Sequence, residues 1–302
     1  MKNDTSLRSF KYGDAVFNVL NVAFMVFVVL ICVYPFYYCI IISFNEGRDA
    51  MKGFIYFFPR IFTLKNYEIA LSDSGIANAY LITIARTLVG TVTCVFFNAM
   101  VAYALTKEEL VFRKIYVTLG IITMYFGGGM IPSYILMRQL NLMDNFLVYI
   151  IPSLSYFFNI LLYMAFFREI PSSMIESAKI DGANEFYIFI RIILPVSTAV
   201  LATIAVFTGV SQWNAWYDAY IYTSNPNLKT MSLILMEMIN RNLAVQILKA
   251  RGFIMFDSAA NKVSPNSLRI ATMLVATVPI MVVYPFLQKY FVKGILIGSV
   301  KA

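Results

Sequence analysis

Long apolar runs separated by polar segments dominate this chain. A helix needs about 20 consecutive apolar residues to cross the hydrocarbon core of a bilayer. The runs stand at about 15–44, 77–105, 115–137, 145–167, 196–222 and 268–290. The pattern therefore predicts an all-α integral membrane protein with six transmembrane helices, organised as one membrane domain over residues 1–302.

Some predicted spans contain residues that disturb helices. Pro35 is expected to kink the first span, and Gly127–Gly129 stand within the third. Such residues are tolerated where neighbouring helices or a cavity satisfy the freed backbone groups. The glycines lack the following Gly-Lys-Ser/Thr of a phosphate-binding loop. We interpret them as a helix break or a site of close backbone packing.

The overall composition supports a bilayer environment. The chain is 60% apolar and 13% charged, with mean hydropathy +0.73, whereas a soluble domain carries about 25% charged residues. The net charge of +8 is scattered among loops, without a run rich in Lys or Arg. We therefore expect contact with anionic membrane lipid and none with nucleic acid.

The sequence offers little for catalysis or metal binding. Histidine is absent, which removes histidine acid–base chemistry and histidine metal sites. Cys32, Cys39 and Cys94 lie inside apolar runs and are interpreted as small buried hydrophobes. An intramembrane enzyme would need a nucleophile or a pair of buried carboxylates. We predict no catalytic residue, no metal site and no enzymatic activity.

The distribution of basic residues predicts the orientation in the membrane. Short cytoplasmic flanks are enriched in Lys and Arg, while long loops are poor guides. The long segments at about 45–76 and 224–267 are assigned to the outer side. Both termini and the segment 168–195 are then predicted to be cytoplasmic. The basic residues on that side are Lys2, Arg8, Lys11, Lys107, Arg113, Lys114, Arg168, Lys179, Arg191, Lys289, Lys293 and Lys301.

A polar, helix-forming segment between two apolar runs is the most informative part of the chain. Residues 176–195 read E-S-A-K-I-D-G-A-N-E-F-Y-I-F-I-R-I-I-L-P. Ser173 and Glu176 have capping-box spacing, which predicts a helix starting near residue 173. Gly182 should end it, because glycine adopts the left-handed conformation at little cost. A second helix should run from about 184 and end before Pro195, so the segment forms a rigid knob.

This register resembles the signature loop of the permease subunits of ABC importers. The matching positions are Glu176, Ala178, Gly182 and Ile192-x-Leu194-Pro195; Ser177 stands where the family usually has alanine. Three more stretches resemble sugar-importer permeases of the maltose-importer type, in the oligosaccharide branch, and imply the type I ABC importer permease fold. They are F-G-G-G-M-I-P-S-Y-I-L-M-R-Q-L-N-L-M-D-N (126–145), W-N-A-W-Y-D-A-Y (213–220) and residues 266–301.

The resemblance implies a bacterial cell-membrane subunit that borrows its energy. In the family the loop, here 168–195, docks into a cleft on a separate ATPase subunit. It implies a homologous second permease, two ABC ATPase subunits, an extracytoplasmic solute-binding protein and an oligosaccharide substrate. ATP and Mg would be bound by the ATPases, and no cofactor by this chain. The expected ATPase-coupling residues are Glu176, Ser177, Ala178, Lys179, Asp181, Gly182, Ala183, Leu194 and Pro195.

An aromatic cluster at the outer end of the predicted fifth span is a candidate for substrate contact. Aromatic faces stack on the C–H faces of sugars, and their polar edges form hydrogen bonds. The alternative is an interfacial aromatic belt. The loop 224–267 contacts the solute-binding protein in the family; a plain outer loop is the alternative. The candidate substrate-pathway residues are Trp213, Asn214, Trp216, Tyr217 and Tyr134.

Arg86, an ionisable residue inside a predicted span, bears on the choice between an ABC permease and a secondary transporter. A charged residue inside a span is costly unless it is paired or snorkels, and we expect it to pair with another helix. A secondary transporter would need further ionisable groups deep in the membrane for ion coupling. We therefore predict an oligosaccharide permease working by alternating access. The alternatives are an ABC importer permease for a non-sugar solute, or a secondary transporter.

Overall fold

The computed structural model describes residues 5–72, 74–250, 264, 266–279, 281 and 282. Within these ranges every regular element is helical, and one isolated antiparallel bridge joins Asn45 to Phe62. This confirms the predicted all-α class. The helices are α1 (Thr5–Ser43), α2 (Gly47–Met51), α3 (Lys65–Ser72), α4 (Ser74–Thr106), α5 (Arg113–Tyr125), α6 (Met130–Gln139), α7 (Phe157–Phe167), α8 (Ser172–Ile180), α9 (Glu185–Ile188), α10 (Leu194–Val196), α11 (Thr198–Asn214), α12 (Tyr217–Tyr222), α13 (Met231–Ala250) and α14 (266–279). Short 3-10 turns stand at Phe146–Tyr149 and Pro226–Leu228, and a π turn at Phe189–Ile193.

The chain divides into two compact units, of which the first comprises residues 1–70 and 244–275. Its main element is α1, which continues through Pro35. The most apolar 18-residue stretch of α1 has no residue buried by the chain itself. Cys32 is consequently exposed and Cys39 only half-buried, so the prediction that all the cysteines are buried holds for Cys94 alone.

The second unit comprises residues 71–243 and 276–302, and α4 is its central element. This helix packs along α11 and α7, around a core that includes Ala99, Tyr163, Phe189 and Ile204. The helix has no proline and no interruption over 33 residues. It therefore runs for about 50 Å at 1.5 Å per residue.

Two of the described helices are long and apolar enough to cross a membrane, at Gly13–Ser43 and Gly75–Thr106. They agree with the first two predicted spans. Up to two more spans exist if each bent helix pair is one span: α5 with α6, bent by 118°, and Glu185–Val196 with α11, bent by 83°. The described residues thus hold two to four candidate spans. The predicted number of six stays a prediction.

The remaining predicted spans differ from continuous helices for local reasons. Residues 126–129 separate α5 from α6, as the glycines there predicted. The predicted span at 145–167 contains Pro152 and becomes a 3-10 turn, a loop and the short α7. The predicted span at 268–290 lies partly outside the described residues. The segment 224–267, predicted to be an outer loop, contains the 20-residue helix α13.

Candidate functional site

The polar segment 168–195 forms a short exposed helix followed by a sharp turn. Helix α8 begins at Ser172, one residue before the predicted start, and Pro171 is its N-cap. Ser173 therefore lies inside the first turn, and the predicted capping box is not formed. Gly182 has φ +82°, as predicted, and an L-residue adopts that conformation only with strain.

The second helix of the segment extends further than predicted. The Asn184 side chain accepts a hydrogen bond from the Tyr187 amide at 2.8 Å and caps α9. The chain then passes through the π turn, and Pro195 lies inside α10 instead of beyond the helix end. Proline has no N–H to donate, and a π turn already departs from the α-helical bonding pattern. The break that the proline was expected to mark comes at Ser197.

The segment has an apolar face towards the core and a polar face towards solvent. Ile175, Ala178 and Ala183 pack against the core beneath α8. At the tip of the helix, Ile180 is 86% exposed. Among the predicted coupling residues, Ala178, Ala183 and Leu194 are half-buried, while Glu176, Ser177, Lys179, Asp181, Gly182 and Pro195 are exposed.

An ionic cluster centred on Glu185 ties this segment to the end of α4. Its Oε2 accepts a hydrogen bond from the Tyr103 hydroxyl at 2.6 Å and lies 2.8 Å from Lys107 Nζ. Its Oε1 lies 2.9 Å from Lys179 Nζ. The bond to Glu185 raises the pKa of Lys179 above its ordinary value, because the pair favours the charged amine. Glu185 was not among the predicted coupling residues; the signal for it in the sequence is a carboxylate close to Lys179 across the Gly182 turn.

A second ionic cluster surrounds Arg86, which is 1% exposed. Its Nη1 and Nη2 bind the two carboxylate oxygens of Asp218 at 3.1 and 2.5 Å. Its Nη2 also donates to Gln212 Oε1 at 2.9 Å, and the guanidinium carbon lies 4.4 Å from the centroid of the Tyr149 ring. Arg86 is therefore paired with other helices, as expected. Asp218 was not among the predicted site residues, although it is the carboxylate that pairs with Arg86.

Gly90 makes room for this cluster, one helical turn from Arg86. A Cβ added at Gly90 would lie 2.7 Å from Gln212 Nε2. That nitrogen donates to Ser153 Oγ at 2.6 Å. The close approach of α11 to α4 at this point depends on the missing side chain of glycine.

The break between α11 and α12 forms one wall of an open cleft of about 580 Å³. Tyr217 is 46% exposed there, and the ring centroids of Trp216 and Tyr217 lie 5.9 Å apart. Apolar, aromatic and polar groups thus share one shallow, open surface, the mixture of groups that ligand sites use. The lining residues are Phe207, Val210, Ser211, Asn214, Ala215, Trp216, Tyr217 and Asp218.

The structure separates the predicted substrate-pathway residues into two groups. Asn214, Trp216 and Tyr217 line the cleft. Trp213 is buried, and its Nε1 donates to the Ala276 carbonyl at 3.1 Å. Tyr134 stacks on Tyr222, away from the lining set, with ring centroids 6.4 Å apart. Adjacent positions near a helix end point in different directions, and the spacing in sequence did not distinguish them.

Comparison with a solved structure identifies the class to which this architecture belongs. The fold matches a chain from the crystal structure of a bacterial ABC transporter involved in the import of the acidic polysaccharide alginate. The TM-score is 0.81 at 28% identity, covering 92% of this chain and 98% of the other. The chain therefore has the architecture of an ABC importer membrane subunit.

Curated relatives establish the family. Over 95% of this chain, 33% of residues are identical to the polygalacturonan/rhamnogalacturonan transport system permease protein YtcP of Bacillus subtilis, of which 99% is covered. Protein LplC of the same organism is 37% identical, with 95% of each chain covered. No family model matches the sequence. The chain belongs to the family of permease subunits of sugar ABC importers, which are transport components and not enzymes.

Proposed function

We propose that this chain is one of two different permease subunits lining the translocation pathway of an oligosaccharide importer. It would cross the bacterial cell membrane six times with both termini in the cytoplasm, beside a homologous second permease. Two ABC ATPase subunits would bind ATP and Mg on the cytoplasmic side, and a solute-binding protein would deliver sugar from outside. The full-length similarity to sugar permeases carries this proposal.

The segment 168–195 is proposed as the site that receives mechanical work from the ATPases. The exposed polar residues of α8, Glu176, Ser177 and Lys179, offer charge-assisted hydrogen bonds to a partner. Ile180 adds an exposed apolar tip. The helix is anchored underneath by its apolar face and by Glu185. A helix fixed in this way transmits a displacement that a flexible loop would absorb.

The cleft at the α11–α12 break is proposed as a sugar contact on the pathway. Trp216 and Tyr217 can stack on sugar rings. Asn214 and the Asp218 carboxylate lie beside them and can bind hydroxyl groups. In alternating access, closure of the ATPase dimer would open this surface to the outside and hydrolysis would reset it.

Two substitutions in the assembled transporter test the coupling assignment. Glu176→Lys reverses the charge of the docking face, and Gly182→Pro is incompatible with the positive φ of the turn. Both variants should insert into the membrane normally. Purification through the tagged chain should recover less ATPase, and the transporter should take up less sugar. Glu68→Lys, the same charge change at an exposed position on α3 outside segment 168–195, is the matched control. Normal assembly and transport in both variants would refute the assignment.

Uptake by proteoliposomes tests the proposed substrate class. The transporter and its binding protein should import oligosaccharides when ATP is present. Trp216→Ala or Tyr217→Ala should raise the sugar concentration needed for half-maximal uptake, while ATPase recovery stays normal. Acidic and neutral oligosaccharides of matched length should both be tried. Uptake of a peptide or polyamine in preference to every sugar would contradict the assignment.

A further inference from the structure

The helix α4 carries one ionic contact at its C-terminal end and another near its middle, and each contact reaches a proposed functional region. Tyr103 and the following Lys107 hold Glu185, which starts α9 directly after the docking helix and its turn. Arg86 holds Asp218, which lines the cleft. Arg86 and Tyr103 are 17 residues apart, so at 1.5 Å per residue they are separated by about 26 Å.

We propose that α4 is the strut that carries movement of the docking helix to the cleft, with Glu185 and Arg86 as its two positioning residues. The inference rests on the proposed coupling function of segment 168–195. What is added is the route by which movement passes from the docking helix to the cleft. Glu185 and Arg86, which are not among the matching positions of the signature loop, gain positioning roles.

At the docking end, one carboxylate collects three partners from different segments. Tyr103 belongs to α4, Lys107 to the loop after it, and Lys179 to the docking helix itself. The ammonium of Lys107 also lies 4.3 Å from the centroid of the Tyr103 ring, which fixes its position. Glu185 therefore limits rotation of α8 relative to α4, in addition to the packing of the apolar underside of α8.

The exposure of Glu185 indicates that this residue mainly sets the orientation of α8 and contributes little to the stability of the chain. Half of its side-chain surface is accessible, as is 44% of that of Lys179. Exposed ion pairs contribute only about 0–1 kcal/mol to stability because water screens them. Loss of the carboxylate should leave the chain folded and should change the angle at which α8 is held.

Between the two contacts, α4 has the properties of a stiff connection. It is uninterrupted and free of proline, and it packs along both α11 and α7. A helix packed on two sides moves as a body, because close-packed interiors transmit strain.

At the cleft, the guanidinium of Arg86 binds two helices together. Gln212 lies near the end of α11 and Asp218 in the first turn of α12, on either side of the break. Arg86 also donates to the Ala215 carbonyl within the break, at 3.3 Å. A shift of α4 would therefore displace the wall on which Trp216 and Tyr217 stand.

The test compares Glu185→Gln with the wild type in the complete transporter reconstituted in lipid nanodiscs. Glutamine keeps the size of the side chain and removes its charge. Assembly and basal ATPase activity should stay normal. Stimulation of the ATPase by sugar-loaded binding protein should fall about fivefold or more, the range of an ordinary allosteric coupling. Glu68→Gln makes the same change at an exposed position on α3, outside segment 168–195, and should have no effect.

A reporter in the cleft shows whether movement arrives there. Asn214→Cys, in a chain whose native Cys32, Cys39 and Cys94 are replaced by alanine, would carry an environment-sensitive fluorophore. ATP should change its emission, and Glu185→Gln should reduce that change by a similar factor. Glu185→Asp should recover part of the response, because the charge returns on a shorter side chain.

Two results would overturn the strut while leaving the proposed function intact. One is an unaltered ATPase stimulation and fluorophore response in Glu185→Gln, while Glu176→Lys still loses the ATPase. The other is failure of Glu185→Gln to bind the ATPase at all, because the side chain would then support docking itself. Normal behaviour of Glu176→Lys as well would reject the coupling assignment, a separate and recognisable outcome.

Discussion

The two ionic clusters on α4 use the same chemistry in different surroundings. Arg86 is 1% exposed and has a bidentate carboxylate, an amide and an aromatic face as partners. Glu185 has a side chain that is 50% exposed, and its partners are two lysines and a tyrosine. The guanidinium of the first cluster is closed to solvent, while its partner Asp218 is 25% exposed at the cleft. The second cluster is open to solvent around Glu185 and Lys179.

This difference determines what each cluster can do. Removing one member of a buried pair leaves an uncompensated charge and costs about 3–5 kcal/mol. Removing one member of an exposed pair costs about 0–1 kcal/mol. The Arg86 cluster therefore fixes the geometry of the α11–α12 break, whereas the Glu185 cluster can hold an angle that changes during a transport cycle.

The largest loss of stability is expected from Arg86→Met. The substitution leaves Asp218 without its cation and should destabilise the chain by about 3–5 kcal/mol. The thermal midpoint in detergent measures the change. Arg138→Met, at an exposed position on α6, is the control. Adding Asp218→Leu should recover much of the lost stability, because both charges are then gone. A normal midpoint for Arg86→Met alone would show that the pair does not hold this region.

Gly90→Ala should cause the next largest loss of stability, and it should disturb only the cluster around Arg86. The new methyl group would meet Gln212 and should cost about 1–2 kcal/mol as an overpacking change. Gly127→Ala is the matched control, since nothing lies within 4 Å of its added Cβ. Thermal midpoints and sugar uptake should both fall in the first variant only. Equal behaviour of the two would contradict the close approach of α11 to α4.

Gly182→Ala tests the turn after α8, next to the exposed Glu185 cluster. Its φ of +82° should cost an alanine about 1–2 kcal/mol, borne locally by the turn after α8. Recovery of the ATPase on purification should decrease, with a fall in the thermal midpoint no larger than that of Gly90→Ala. Gly182→Asn should be milder, because asparagine tolerates this conformation. An asparagine variant as impaired as the alanine variant would indicate that backbone conformation is not what matters there.

The smallest change in stability is expected for Lys179→Gln. It removes one of the partners of Glu185, and the exposed pair contributes at most about 1 kcal/mol. The thermal midpoint should stay close to that of the wild type, while the coupling of ATP hydrolysis to transport declines. A shift as large as that of Arg86→Met would remove the distinction between the two clusters.

Local signals predicted much of the fold. Uninterrupted apolar runs gave the two long helices, because only a helix satisfies its backbone groups within hydrocarbon. Gly127–Gly129 indicated the break between α5 and α6, and Gly182 the turn after α8. In each case the responsible physical property belongs to the residue itself.

The missed features depend on contacts between distant parts of the chain. Glu185 meets Tyr103, which is 82 positions away, and Arg86 meets Asp218, which is 132 positions away. Spacing along one helix contains no information about such pairs. The burial of Trp213 against Ala276 was missed for the same reason. The free-energy cost of an unpaired charge inside a span predicted that Arg86 is paired. The identity of its partner, Asp218, became known only from the structure.

The most direct test of the whole account is to purify the tagged chain from its native membrane in mild detergent, identify the proteins that accompany it, and measure sugar uptake by the recovered assembly in proteoliposomes. The account predicts recovery of a second, homologous permease and an ABC ATPase, with uptake that requires ATP and the solute-binding protein. Recovery of this chain alone, transporting solute without ATP, would contradict it and would indicate a secondary transporter.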